Sequence, residues 1–214
     1  MPDSYITYGI MAVTALVSYA GFNNRALFER LLHSPYAERR DGQYYRLLTS
    51  GFLHGSWLHL GINMFVLYFF GRFAEAAIAS GSDLGFGPAL GPWVYLGLYL
   101  LTVVVANLGT YVSRADDPGY RAIGASGAVS GATTLFAVFL PWETIYLYAI
   151  LPIPAIVAAV AFVIYSQYAA NNNNDGIDHS AHLYGALSMP IFYSLLRPGL
   201  IAHFIGALTQ NAPF

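Results

Sequence analysis

The chain has 214 residues, 57% of them hydrophobic and 9% charged, with a formal net charge of −2 and a mean hydropathy of +0.52. Soluble domains carry about a quarter charged residues, so this composition excludes an ordinary soluble protein and points to one that resides in a membrane. All nine basic residues are arginine and none forms a basic run, which leaves no footing for nucleic acid; the lack of cysteine excludes a thiol nucleophile, a disulfide framework and a thiolate metal site.

About 20 apolar residues cross the hydrocarbon core of a bilayer. The charge-free stretches predict six such spans in one domain covering 1–214, an all-α membrane protein. The first runs over 5–22. Met1-Pro2-Asp3-Ser4 ahead of it lacks the basic flank of a secretory signal, and no small-x-small cleavage site follows, so this span is expected to be retained. The loop Asn23–Ser50 is long, rich in Arg, Glu, Tyr and Pro, and expected to be structured. The second span covers 57–75. A glycine-rich connection, Ser80–Gly91, leads to the third at 92–112. A polar turn, Arg114–Arg121, precedes the fourth, at 125–141. The fifth, 144–168, contains Pro152 and Pro154, which either kink it or let it move sideways to admit a ligand. The polar loop Asn171–Asp178 then leads to the sixth, 179–196, closed by Arg197-Pro198. The tail Gly199–Phe214 is uncharged, with Phe204, Ile205 and Leu208 at helical spacing; it either lies at the interface or frays.

Even numbers of spans separate the long first loop, the Arg114–Arg121 turn and the Asn171–Asp178 loop, so all three share one face. That face holds Arg25, Arg30, Arg39, Arg40, Arg46, Arg114 and Arg121, against Arg72 and Arg197 on the other. Taken alone, the arginines put this face in the cytoplasm. Acidic neighbours (Glu29, Glu38, Asp41) within a folded loop weaken that bias. No internal repeat supports an inverted-repeat transporter.

Four polar positions carry the chemistry. Ser126 lies in Gly124-Ala125-Ser126-Gly127 at the mouth of the fourth span, where flanking glycines permit close backbone approach. The bland reading is packing, since Gly127 and Gly131 form a small-xxx-small pair. His182 stands just inside the sixth span, and a neutral imidazole suits proton exchange with a serine hydroxyl. Ala181 and Gly185 form a second small stripe that can meet the first, which brings Ser126 and His182 together. His59 and Asn63, four apart on the second span, project from one helical face and can donate to an oxyanion with the Ser126 backbone N–H. The bland alternative for these three is interhelical hydrogen bonding. His54 falls in the turn before that helix. No carboxylate accompanies the group within the spans, so a Ser–His dyad is the economical reading. Ser130 offers a decoy nucleophile one turn deeper. A metal site on His54, His59, His179 and His182 competes, though no His-Glu-x-x-His is present.

With His54-x4-His59-x3-Asn63, Gly124-x-Ser126-Gly127 and Ala181-His182-x-x-Gly185 in order on spans two, four and six, the chain resembles the rhomboid family of intramembrane serine proteases. The stretch Tyr44–Gly71 is similar to bacterial members in particular. The resemblance implies a six-span fold, and an endopeptidase that cuts transmembrane protein substrates without a cofactor or metal. It further implies Ser126 as nucleophile, His182 as general base, and His59 and Asn63 in the oxyanion hole, supported by His54. The active face would point away from the cytoplasm of a bacterial membrane, against the arginine count. Family members without the dyad imply an alternative, a protein that binds client helices. Two departures stand out. Tyr45-Arg46 replaces a Trp-Arg pair in the first loop. Ser130 stands where members place an aromatic that stacks on the histidine, which leaves His179 or Tyr184 to orient the His182 ring.

Overall fold

The computed structural model describes residues 4–147, 150–172 and 175–210. The residues at 1–3, two residues of the expected fifth span (148 and 149), two asparagines of the polar loop (173 and 174) and the last four residues of the tail lie outside the described residues. Among the described residues the fold is all-α apart from one small hairpin. Helix α1, Tyr5–Asn23, leads into the first loop, which folds as three short helices: α2 (Arg25–Leu31), α3 (Pro35–Asp41) and α4 (Arg46–Thr49). Local chemistry sets their ends. The Asn24 side chain accepts the Leu27 N–H, Pro35 opens α3, and Gly42 at φ +69° closes it in the left-handed region.

Arg46 ties this loop together. Its guanidinium is buried and donates to the Glu29 and Leu32 carbonyls at 2.7 and 2.8 Å and to Gln43 Oε1 at 2.7 Å, with Tyr45 5.6 Å away beneath it. The other arginines are largely engaged on the outside: Arg25 with Glu29, and Arg39 with Asp116 at 2.8 Å. Glu38 does not pair with its arginine neighbours. It is sealed in the interior, 2.6 Å from His33 Nδ1.

Helix α5 (Trp57–Ile78) begins where the Ser56 hydroxyl caps the His59 N–H, and α6 (Gly87–Arg114) follows. Near the far end of α5, the buried Glu75 accepts the Ile6 and Thr7 N–H groups and the Thr7 hydroxyl at 2.7–3.0 Å. A carboxylate from one helix thus caps the positive end of another. Helix α7 (Ser126–Phe139) is the central element, packed among α5, α6 and α9 (His179–Leu196). Ala125, Ala128, Ala132 and Leu135 join Tyr95, Tyr99, Leu67, Met189 and Tyr193 in the core around it.

The fifth segment differs from expectation. The chain expected to run as one helix over 144–168 first forms a hairpin, β1 (Thr144–Leu147) against β2 (Leu151–Pro154), with Thr144 opposite Pro154. Only then does α8 (Ala155–Asn172) begin. Pro152 and Pro154 lack the N–H that a helix interior needs, whereas an edge strand tolerates them. They therefore neither kink a helix nor hinge one. The tail forms α10 (Gly199–Gln210), bent by 116° from α9 after Pro198. It closes the end of α7, with His203 Nε2 on the Phe139 carbonyl at 2.9 Å and Trp142 Nε1 donating to the Leu208 carbonyl at 3.2 Å.

Among the described residues, α1, α5 and α6 are long and apolar enough to cross a membrane, and α9 with α10 adds a fourth if the bent pair counts as one span. The remaining two of the six expected crossings rest on shorter or more polar helices. At 1.5 Å per residue, the 14-residue α7 is about 21 Å long, short of the ~30 Å hydrocarbon core. Gly124 and Pro141 bracket it and stop it from growing.

Candidate active site

Ser126 is the first residue of α7, and the backbone leading to it is held from three sides. His33 and Ala122 exchange N–H···O bonds at 2.9 and 3.1 Å, a one-residue bridge from the first loop. The Gly124 N–H donates to the Ser50 carbonyl at 3.0 Å. The Ala125 N–H points at His54 Nε2, 3.4 Å away. Since that nitrogen accepts, the neutral ring carries its proton on Nδ1, which donates to Ser18 Oγ at 3.0 Å; Ser18 in turn donates to the Phe52 carbonyl. Burial, aided by the neighbouring His59, pushes the pKa of His54 down to about 3, which keeps it in that neutral form.

Gly124 has φ +125°, outside the comfortable range of any residue with a Cβ. A Cβ there would lie 2.9 Å from His59 Cε1, 3.0 Å from His59 Nε2 and 3.6 Å from Ser126 Oγ. Its absence is what lets the His59 ring stand over the approach to the serine. His59 also packs edge-on against His54, with centroids 4.8 Å apart. Asn63, one turn further on, is buried and donates Nδ2 to the His59 carbonyl at 3.1 Å.

His182 enters from α9. The Asp178 carboxylate caps that helix by accepting the Ala181 N–H at 2.9 Å, and Thr110 of α6 donates to both its oxygens. The two small stripes then meet. A Cβ on Gly127 would sit 3.1 Å from the Ala181 carbonyl oxygen, and one on Gly131 2.8 Å from that of Gly185. Helices this close deliver His182 Nε2 to 2.8 Å from Ser126 Oγ. Both side chains are half-buried, so neither is sealed from a reactant. Ser130 is not available as an alternative: its hydroxyl donates to the Ser126 carbonyl at 2.7 Å, one turn back along its own helix.

The structure thus brings Ser126, His182, His54, His59 and Gly124 together, with Gly127 as the spacer, while the Asn63 amide hydrogen goes to its own helix. The four histidines of the metal reading split into two ring pairs. Among the described residues no three His, Cys, Asp or Glu side chains converge as ligands. Of the two rings flanking His182, His179 is one of the candidates read from the sequence, whereas Phe162 had no sequence signal. Phe162 of α8 packs on the imidazole with centroids 5.8 Å apart and planes inclined by 35°, and His179 meets it edge-on at 5.9 Å. Tyr184 is not involved; its ring lies against Gly109. His179 Nε2 is held by Asp175 at 3.1 Å, an interaction that keeps the Asp175 carboxyl below the usual carboxylate range. Beside this cluster a polar cavity of about 420 Å³ is lined by Thr110, Tyr120, Arg121, Asp178, His179 and Ser180 among others. His59 and Asn63 do not line it.

A helical membrane protein with a serine and a histidine in hydrogen-bond contact between two glycine-apposed helices defines the class. The rhomboid domain model matches residues 41–198, and the chain belongs to the rhomboid family. It is similar to "RHOMBOID-like protein 12, mitochondrial" of Arabidopsis thaliana, 29% identical over 216 residues that cover 93% of this chain and 60% of the relative. "Rhomboid-like protein 11, chloroplastic" of the same plant is 29% identical over 173 residues, 74% of this chain and 54% of the relative. "Putative rhomboid protease YdcA" of Bacillus subtilis (strain 168) is 32% identical over 100 residues, 47% of this chain and 42% of the relative. The chain therefore spans about half the length of the curated relatives it matches.

Proposed function

We propose that this protein is an intramembrane serine endopeptidase that hydrolyses peptide bonds in or near transmembrane segments of other membrane proteins. The observation that carries the reading is the 2.8 Å contact between Ser126 Oγ and His182 Nε2 in a rhomboid-family chain. In the mechanism this geometry supports, His182 takes the hydroxyl proton as Ser126 attacks a substrate carbonyl. The oxyanion forms beside the Ser126 N–H, which as the first of α7 has no intrahelical acceptor, and beside His59 Nε2. His182 then passes its proton to the leaving amine, and water resolves the acyl-enzyme.

With α7 shorter than the hydrocarbon core, this reading puts its N-terminus in a recess below the polar ends of the long helices. We further propose six crossings, with the Ser126 face away from the cytoplasm. Of the arginines that argue otherwise, Arg46 is held in the loop core, and Arg25 and Arg39 pair with Glu29 and Asp116 at the surface.

The test is cleavage of a single-span membrane substrate by the purified full chain in detergent. Wild type and Ser130→Ala should cleave, while Ser126→Ala and His182→Ala should not. His59→Ala should lose on the order of 10²–10³ in kcat, the range for removal of one oxyanion donor. Cleavage surviving in Ser126→Ala removes the nucleophile assignment. A well-folded wild type that binds the substrate helix without cutting it favours a client-binding role instead.

A further inference from the structure

The His182 imidazole lacks the support expected from its own neighbourhood in the family pattern, because position 130 is a serine whose hydroxyl is turned back onto α7. The structure supplies an aromatic from elsewhere. Phe162 of α8 packs on the His182 ring, and three residues on, Tyr165 stands edge-on to His179 with centroids 5.5 Å apart and planes at 89°. Residues three apart share a helical face, so one side of α8 presents two aromatic rings to two imidazoles, themselves three apart on α9. Both spacings lie within the 4.5–7 Å of favourable ring pairs.

Away from this interlock α8 is thinly held. Its fully buried residues are Ala155, Ser166 and Ala169, two of them near its polar end and one at its start. Between them the helix stands off α7 and α9 across an apolar cavity of about 310 Å³, lined by Val160, Val163 and Ile164 on its own side and by Thr134, Ala186 and Pro190 opposite. A ring contact beside such a gap sets where α8 sits relative to the histidine.

We propose that Phe162 is a positioning residue for His182: it holds the imidazole in the rotamer that reaches Ser126, and so ties the competence of the base to the placement of α8. This rests on the Ser126–His182 dyad reading above. Phe162 acts through the His182 ring, on which it packs.

The experiment uses the full chain in detergent and reads two rates, labelling of Ser126 by a fluorophosphonate probe and kcat and KM for a single-span substrate. Wild type, Ser126→Ala, Phe162→Ala, Phe162→Leu and Phe162→Tyr are compared, with thermal unfolding as the check on folding. A ring pair contributes about 0.5–1.5 kcal/mol, so Phe162→Ala should slow both labelling and kcat by up to about tenfold with KM unchanged. Phe162→Leu, which keeps bulk but not the ring, should be slowed as well, and Phe162→Tyr should return to the wild-type rate. If Phe162→Ala does not fold, the contrast between Leu and Tyr decides the matter. Wild-type labelling rates in Phe162→Ala and Phe162→Leu overturn the positioning role while leaving the dyad intact. A change confined to KM also overturns it, since the residue then lines the route of substrate entry. Wild-type labelling that persists in Ser126→Ala, or none in wild type, overturns the dyad reading and the positioning role with it.

Discussion

Ser126 Oγ and His182 Nε2 meet at 2.8 Å across 56 residues of sequence because Gly127 and Gly185 let α7 and α9 touch backbone to backbone. A methyl group on Gly185 would collide with the carbonyl oxygen, carbonyl carbon and Cα of Gly127, none of which can rotate aside. Gly185→Ala is expected to lower the unfolding midpoint, at the ~1–3 kcal/mol typical of overpacking, and to abolish fluorophosphonate labelling of Ser126. Gly9→Ala, where a Cβ meets nothing within 4 Å, should change neither. Thermal unfolding and labelling on the same samples check both statements.

Arg46 joins three parts of the first loop. Its planar fork satisfies two main-chain carbonyls and Gln43 at once, a geometry that an ammonium does not reproduce. Arg46→Lys should therefore destabilise the protein by about 1.5 kcal/mol or more, the scale of one hydrogen bond to a charged group. Limited proteolysis between Asn23 and Ser50 should accelerate in step. Equal resistance of variant and wild type would show that the loop is held by other contacts.

Glu75 separates stability from catalysis. It lies near the far end of α5 from His59 and caps α1 through three hydrogen bonds. Glu75→Ala leaves the Ile6 and Thr7 N–H groups unsatisfied in a buried site, at an expected cost of at least about 2 kcal/mol. The fraction that remains folded should keep its kcat, which active-site titration against turnover measures.

Acid should unfold this protein in part through His54. Burial takes its pKa from 6.5 to about 3 in the folded state, whereas in the unfolded chain it titrates near its ordinary value. Between those values the unfolded chain binds more protons than the folded one. Stability is thus lost as the pH falls from about 6.5 towards 3, and this residue adds no pH dependence above 6.5. His54→Gln, which cannot titrate, should show a shallower decline of the unfolding midpoint across that window than wild type. A parallel decline in both proteins would assign the acid sensitivity to other groups.

Much of this was readable from residue order. The glycines at 127, 131 and 185 and Ala181 announce a close helix pair because small residues at four-residue spacing have few other uses between apolar helices, and the pair carries Ser126 and His182 with it. Tyr45-Arg46 marked an anchor for the first loop, which the Arg46 hydrogen bonds show. The fifth segment was misread because hydropathy registers apolar length and not the missing N–H groups of Pro152 and Pro154. Glu38 was grouped with its arginine neighbours along the chain, whereas folding gave it to His33. Glu75 looked like a carboxylate at the end of a span, and its partners lie 68 and 69 residues away.

By itself the sequence determined that the chain lives among apolar surroundings, where the long helices run apart from the start of the fifth segment, and that a serine and a histidine sit at the mouths of two of them. Those are matters of local composition and spacing, and local physics decides them. Only the tertiary structure decided that His54 spends its acceptor on the Ala125 N–H, that Ser130 is turned back onto its own helix, and that Phe162 rather than a residue of α7 packs on His182. Each depends on contacts between segments far apart in the chain. Which of several competent side chains reaches a given point in space is set by how whole helices pack, and no periodicity records that.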